Sequence, residues 1–349
     1  MLENLIGQNS PYKLFLNNWY DLLVLAIMLL SIILTASMLY YSLILVPLHE
    51  LGHLIFAKLS GGTIISYRIM NLTFIRKNDR IKVRIYTHKG SGGQCLTYPG
   101  EYMEERHPFF LEMMGGPIID FTVFLISLLI YLYVSFPTYL ANLAFLWIAA
   151  YELISFLFNG IPMKLMGICN DGMNTLQMIR DKQAVKSWYI TAGIYKQLQE
   201  GKTYKDMSGE LFFLPDNANL NNDIIAYHKL NYCYYFMDLQ QWNEAYEHLQ
   251  DIELHGSRLE NQRILSDKLF LYIKLGKSSA EIEALYKKTK RLLKQNKYDF
   301  NKIRARMAYE LYKDPSEENH NRIIAEVRKI AKTYPYEGEA IFNINLIMN

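Results

Sequence analysis

From Leu22 to Leu59 the chain runs apolar with little interruption before His49. As a single helix this run of about 38 residues would be roughly 57 Å long, against about 30 Å of bilayer hydrocarbon. A segment of this length and composition is best solvated by lipid, which restricts its backbone to helix. Two arrangements are open: one long tilted or kinked helix, or two helices with a break near residues 35–41. No Gly or Asn marks a turn there, and Pro47 is placed to kink a helix just before His49.

Two further spans follow. Residues 117–134 are apolar except for Asp120, and 139–158 except for Glu152, with a short Ser-Phe-Pro-Thr link suited to a helical hairpin. The 51% hydrophobic content therefore hides two unlike halves, because residues 176–349 read as charged, soluble and helical. Arg68, Arg76, Lys77, Arg80, Lys82, Arg84, Lys89 and Arg106 lie between the first run and the next span. Lys164, Arg180 and Lys182 follow the last span, and the 135–138 link carries no charge. The positive-inside rule places the basic segments and the C-terminal half in the cytoplasm. The N-terminus is then outside if one helix precedes the loop and inside if two do. Its polar, mixed start and very long apolar run do not read as a cleavable signal peptide. A net charge of +3 gives no argument for nucleic acid. Cys95, Cys169 and Cys233 are scattered and odd in number, so no disulfide framework is expected and a reducing compartment is.

His49-Glu50-Leu51-Gly52-His53 lies inside the first apolar run. Ionisable groups are costly in lipid and tend to be functional where they occur. Histidines four apart share one helix face, which suits two ligands of a tetrahedral Zn²⁺; Glu50 is then a carboxylate beside the metal that can activate water. A third ligand is offered by Asp171, before Gly172, where the last apolar segment should reach the cytoplasmic edge. Asn159 and Pro162 break the helix at that depth. Taken alone, Cys169-Asn170-Asp171-Gly172 also reads as a surface turn.

Together these pieces resemble the site-2 protease family of intramembrane zinc metalloproteases, over residues from about 40 to 175. The carrying motifs are His49-Glu50-Leu51-Gly52-His53, Asn159-Gly160-Ile161-Pro162 and Asp171-Gly172. The resemblance implies that His49, His53 and Asp171 hold zinc, that Glu50 is the catalytic base, and that Asn159 helps hold the substrate or its oxyanion. Two features depart from the family pattern. Eight residues separate Pro162 from Asp171, where the family spacing is shorter, although the Asn-Asp-Gly ending resembles a bacterial branch. Gly-Gly-Pro-Ile-Ile-Asp at 115–120 looks like the family's Gly-Pro-x-x-Asn element with Asp120 in place of Asn. Asp120 reads either as a partner of a ligand histidine or of substrate backbone, or as an interfacial carboxylate.

Between the spans, residues 60–107 form a loop whose 63–86 stretch alternates apolar and polar side chains around an Asn-Asp turn. It reads as a β-hairpin, either pairing an unwound substrate or resting its basic face on lipid headgroups. Residues 90–96, Gly-rich, allow close backbone approach; Cys95 reads as a small buried residue rather than a ligand or nucleophile. Residues 176–349 hold helical pairs recurring about every 40 residues, a tetratricopeptide-like array with a groove for a protein partner. The aromatic run from Tyr227 to Phe236 reads as inter-helix core.

The expected protein is thus mostly α. A membrane-embedded metalloprotease domain (1–175, spans near 22–59, 117–134 and 139–158, cytoplasmic β-loop 60–107) precedes a cytoplasmic helical-repeat domain (176–349). The resemblance implies a multi-pass protein of a bacterial cytoplasmic membrane that cleaves membrane-inserted segments: signal-peptide remnants, peptide precursors or membrane-tethered regulators. The competing expectation is a catalytically silent scaffold recruiting partners through its repeats. A metal transporter would need more polar residues along the spans.

Overall fold

The computed structural model describes residues 19–77, 80–86, 92–102, 109–165, 167–255, 258–294 and 299–348. The chain is mostly α-helical, with a small antiparallel sheet. Its first helix, α1 (Trp19–Tyr40), passes through a π turn at Tyr41–Leu45 into α2 (Val46–Leu59). Pro47 has no N–H for the carbonyl of Leu43 and its ring crowds that carbonyl, so a widened turn just before it has a local cause. Of the two arrangements left open by the sequence, the continuous one is seen: the backbone stays helical through 35–41 and the adjustment falls at 41–45.

A short helix α3 (Phe109–Met113) leads into α4 (Gly115–Tyr133), which pairs with α5 (Tyr139–Gly160) as a hairpin. Thr138 caps α5 by accepting from the N–H of Ala141, and Phe121 packs on Phe156 across the pair with ring centroids 4.9 Å apart. Among the described residues three helices are long and apolar enough to cross a membrane: Asp21–Leu59, Gly115–Tyr133 and Tyr139–Gly160. Helix α2 meets α4 at paired glycines. A Cβ on Gly52 would lie 2.3 Å from the carbonyl oxygen of Gly115, and one on Gly115 2.6 Å from that of Gly52. Only residues without a side chain permit this approach.

The loop between α2 and α3 is more than a hairpin. Strands β1 (Thr63–Ile69), β2 (Leu72–Lys77), β3 (Arg80–Ile85) and β4 (Gly93–Tyr98) form an antiparallel sheet in the order β3-β2-β1-β4. The expected Asn-Asp turn at 78–79 lies outside the described residues, but Lys77 pairs with Arg80 on either side of it. The unforeseen turn is Met70-Asn71, where Met70 takes φ +50°. The Arg68 guanidinium donates to its carbonyl at 3.0 Å, and its N–H donates to Gly92 at 2.7 Å. One sheet face leaves Leu72, Ile81, Val83 and Ile85 exposed. The other docks on the helical half: Gln199 donates to the carbonyls of Ile65 (2.8 Å) and Arg76 (2.6 Å), and Ser66 bonds Tyr336 at 3.2 Å.

After α5 the chain makes a two-residue-strand hairpin, β5 (Lys164–Leu165) with β6 (Ile168–Cys169), then enters α6 (Asp171–Arg180) and α7 (Lys182–Gln199). Helical pairs follow: α8 (Asp223–Asp238) with α9 (Trp242–His255), α10 (Arg258–Lys274) with α11 (Ser279–Leu293), and α12 (Phe300–Lys313) with α13 (Glu317–Ala331). Their starts are written in the sequence. Ser278 and Glu281 form a reciprocal capping box, and Asp299 and Ser316 cap the next two helices. The last helix, α14 (Glu337–Met348), packs against α8 and α12. Its Phe342 ring sits 5.8 Å from Tyr234 of α8, and its Asn343 accepts from Arg304 of α12, which pairs with Asp267 of α10. Tyr234 is buried and its aromatic neighbours pack on the same core, as the run from Tyr227 to Phe236 suggested.

Candidate metal centre

His49 and His53 stand one turn apart on α2, with ring centroids 5.0 Å apart. Their Nε2 atoms are 3.3 Å from each other. Asp171, the first residue of α6, places Oδ2 3.2 Å from His49 Nε2 and 3.4 Å from His53 Nε2. Among the described residues this is the group of ligand atoms that converges closely enough to hold an ion. The edge of a tetrahedron with bonds of about 2.0–2.1 Å is about 3.3–3.4 Å, so the three atoms outline one face of a zinc-sized site.

Protons decide whether that triangle is a hydrogen-bonded cluster or a ligand set. His53 Nδ1 lies 2.7 Å from the carbonyl oxygen of Glu112, which can only accept, so the proton is on Nδ1. His49 Nδ1 lies 2.8 Å from Asp120 Oδ2, so the carboxylate fixes the same tautomer. In neutral imidazoles both Nε2 atoms then present lone pairs towards the Asp171 carboxylate. In that protonation state the three atoms could hold a metal ion, and a donor set of two imidazoles and a carboxylate is one that zinc takes.

The supports come from four segments. Asp120, on α4, is fully buried and also accepts from Ser155 Oγ of α5 at 2.7 Å. Asn159 donates to that same Ser155 Oγ at 3.3 Å, so a hydrogen-bonded row runs from Asn159 through Ser155 and Asp120 to His49. Asp120 is thus the histidine's partner, one of its two readings from the sequence. Gly116 leaves room for the imidazoles: a Cβ there would lie 2.5 Å from His49 Nε2 and 2.6 Å from His53 Nε2. Glu50 stands outside the converging group and against β4, where a Cβ on Gly93 would come 2.5 Å from its Oε1. The Gly-rich stretch was read as allowing close backbone approach, and at Gly93 it does so.

The long spacing before Asp171 is taken up by the β5–β6 hairpin, turned at Gly167 with φ +89°. Asn170 closes it. Its Oδ1 accepts from the N–H groups of Met163 (3.1 Å) and Met173 (2.8 Å), and its Nδ2 donates to the carbonyls of Phe158 and Ile161, both at 2.6 Å. One side chain so satisfies the frayed end of α5 and caps the start of α6. Gly172 completes the join, since a Cβ there would lie 2.2 Å from the Gly160 carbonyl oxygen. Sequence reasoning missed Ser155, Asn170 and Gly116. Ser155 could have been found as the residue four before Asn159 on the same helix face; the other two carry no local signal.

Burial pushes the Glu112 carboxyl up to about 7, and Thr97 of β4 donates to it. Cys95 is half-buried and its thiol is likewise pushed up by burial, which suits a packing residue rather than a thiolate. No protein-family model, curated protein or solved structure matches this chain.

Proposed function

We propose that the chain is an intramembrane zinc endopeptidase. The observation that carries this reading is the convergence of two lone-pair nitrogens and a carboxylate oxygen at tetrahedral-edge distances, with both far nitrogens already donating. His49, His53 and Asp171 would hold the ion. Zinc, when bound, supplies a Lewis acid that brings the pKa of water to about 7 and polarises a carbonyl.

The chain's own groups do the rest. Glu50, next to His49 and outside the ligand set, takes the proton of the attacking water and passes it to the leaving amine. Asp120, fixed by Ser155, holds the His49 ring in its plane and tautomer. Asn159 carries two amide N–H groups; one donates to Ser155 and the other is free in its chemistry to meet the developing oxyanion or the substrate backbone. Three helices long and apolar enough to cross a membrane support a membrane setting for this chemistry, and the basic residues of the β-sheet support a cytoplasmic side for the sheet and the helical half. The substrate is a membrane-inserted segment that must unwind near the ion, next to a sheet that offers extended backbone.

The test compares membrane-peptide products from cells expressing wild type and Glu50→Gln, with zinc content measured on both purified proteins. Products that vanish while zinc is retained support the peptidase. Identical products, or identical cellular function of both proteins, would favour a scaffold recruiting partners through its helical half.

A further inference from the structure

A second site lies on the other side of the sheet. Strands β2 and β3 and the last helices, α13 and α14, enclose a cavity of about 550 Å³. Its floor is apolar, built from Ile75, Ala340, Ile341 and Ile344 among others. Its rim is basic: Lys82 and Arg84 on the strand side, Arg328 and Lys332 on the helix side, with Lys77 between. Lys77 is paired with Glu337, the acidic residue of the lining. Among the described residues no carboxylate pairs with Lys82, Arg84, Arg328 or Lys332.

Four cations without a carboxylate partner around an apolar floor give the cavity a positive potential that favours an anionic occupant. Their arrangement says which anion. Lys82 and Arg84 are two apart on a strand, about 6.6–6.8 Å along its backbone, and Arg328 and Lys332 are one helical turn apart, about 6 Å along the helix axis. A phosphate or other compact anion is held by donors that converge on one point. Two spread rows facing each other over an apolar floor instead match an extended chain with carboxylates at intervals and apolar side chains between them. The volume is that of a short peptide segment or a drug-sized ligand.

We propose that this cavity binds an acidic peptide segment with interspersed apolar side chains, contributed by a partner protein. The assignment does not rest on the peptidase reading, since no ligand of the metal centre takes part. The probe is a fluorescein-labelled ten-residue peptide alternating Glu with Leu and Val, titrated by anisotropy against the full chain in detergent micelles. A peptide with Lys in place of Glu and protein-free micelles serve as controls. Saturable binding is expected, weakened about tenfold or more by Arg328→Glu with Lys332→Glu, and likewise by Lys82→Glu with Arg84→Glu. All four side chains are exposed, so neither pair should disturb folding. Absence of saturable binding, equal binding of the Lys peptide, or wild-type affinity in both double variants overturns the proposal. So does capture of phosphatidylglycerol vesicles by wild type but not by the variants with the peptide unbound, which would make the anion a lipid headgroup.

Discussion

A histidine binds a metal through one nitrogen only when the other has a place for its proton. In the proposed site His49 and His53 would meet this condition differently, one on the Asp120 carboxylate and one on the Glu112 backbone. The charged partner should matter more, because it raises the basicity of the ring as well as fixing it. Asp120→Asn keeps an acceptor but removes the charge, and is expected to weaken zinc about 10–100-fold in a chelator-competition titration; unchanged affinity would mean Asp120 is only packing. At this scale the sequence is legible where chemistry is local. The His-x-x-x-His spacing needs only helical periodicity, and an acid in an apolar span advertises itself. Gly116 advertises nothing, because its role is the volume that two rings from another helix require.

At the scale of elements, the join between α5 and α6 decides where Asp171 goes. Eight residues between Pro162 and Asp171 looked like a displacement; a turned hairpin brings the chain back. That closure depends on Asn170, whose four bonds span two helix ends and the hairpin. Asn170→Ala is expected to cost about 2 kcal/mol in thermal unfolding. It should also weaken zinc, although no ligand is touched; a variant with normal melting and normal affinity would show that the hairpin closes without it. Helix α8 carries a separate device. His228 is fully buried, with Nε2 donating to the Leu211 carbonyl at 2.9 Å and Nδ1 accepting from Ser187 of α7 at 3.1 Å. Burial pushes its pKa down to about 4. The unfolded chain takes up this proton near pH 6.5 and the folded chain resists it. Stability is therefore full above about pH 6.5 and falls as pH drops towards 4, by on the order of 3 kcal/mol. Melting of the full chain between pH 7.5 and 4.5 should show a shallower decline in His228→Gln than in wild type. Parallel declines would assign the acid sensitivity to other groups.

Across the whole molecule, the contrast between an apolar first half and a charged helical second half was readable because it is carried by composition and period. The four-stranded sheet was read as one hairpin, since β1 and β4 meet only through pairing across a long loop. The return of α14 onto α8 and α12 could not be anticipated, because it joins helices far apart in sequence. What unifies the site is that α2 and α6, separated by a long stretch of chain, deliver three atoms to one point, with Asp120 of α4 behind His49. X-ray absorption at the zinc edge of the purified full chain, beside Asp171→Ala, tests that point most directly. The account predicts about one zinc per chain with imidazole nitrogens and oxygen at about 2.0–2.2 Å, and a changed first coordination sphere or lost metal in the variant. Wild type that takes up no zinc, or an identical spectrum from Asp171→Ala, would contradict it.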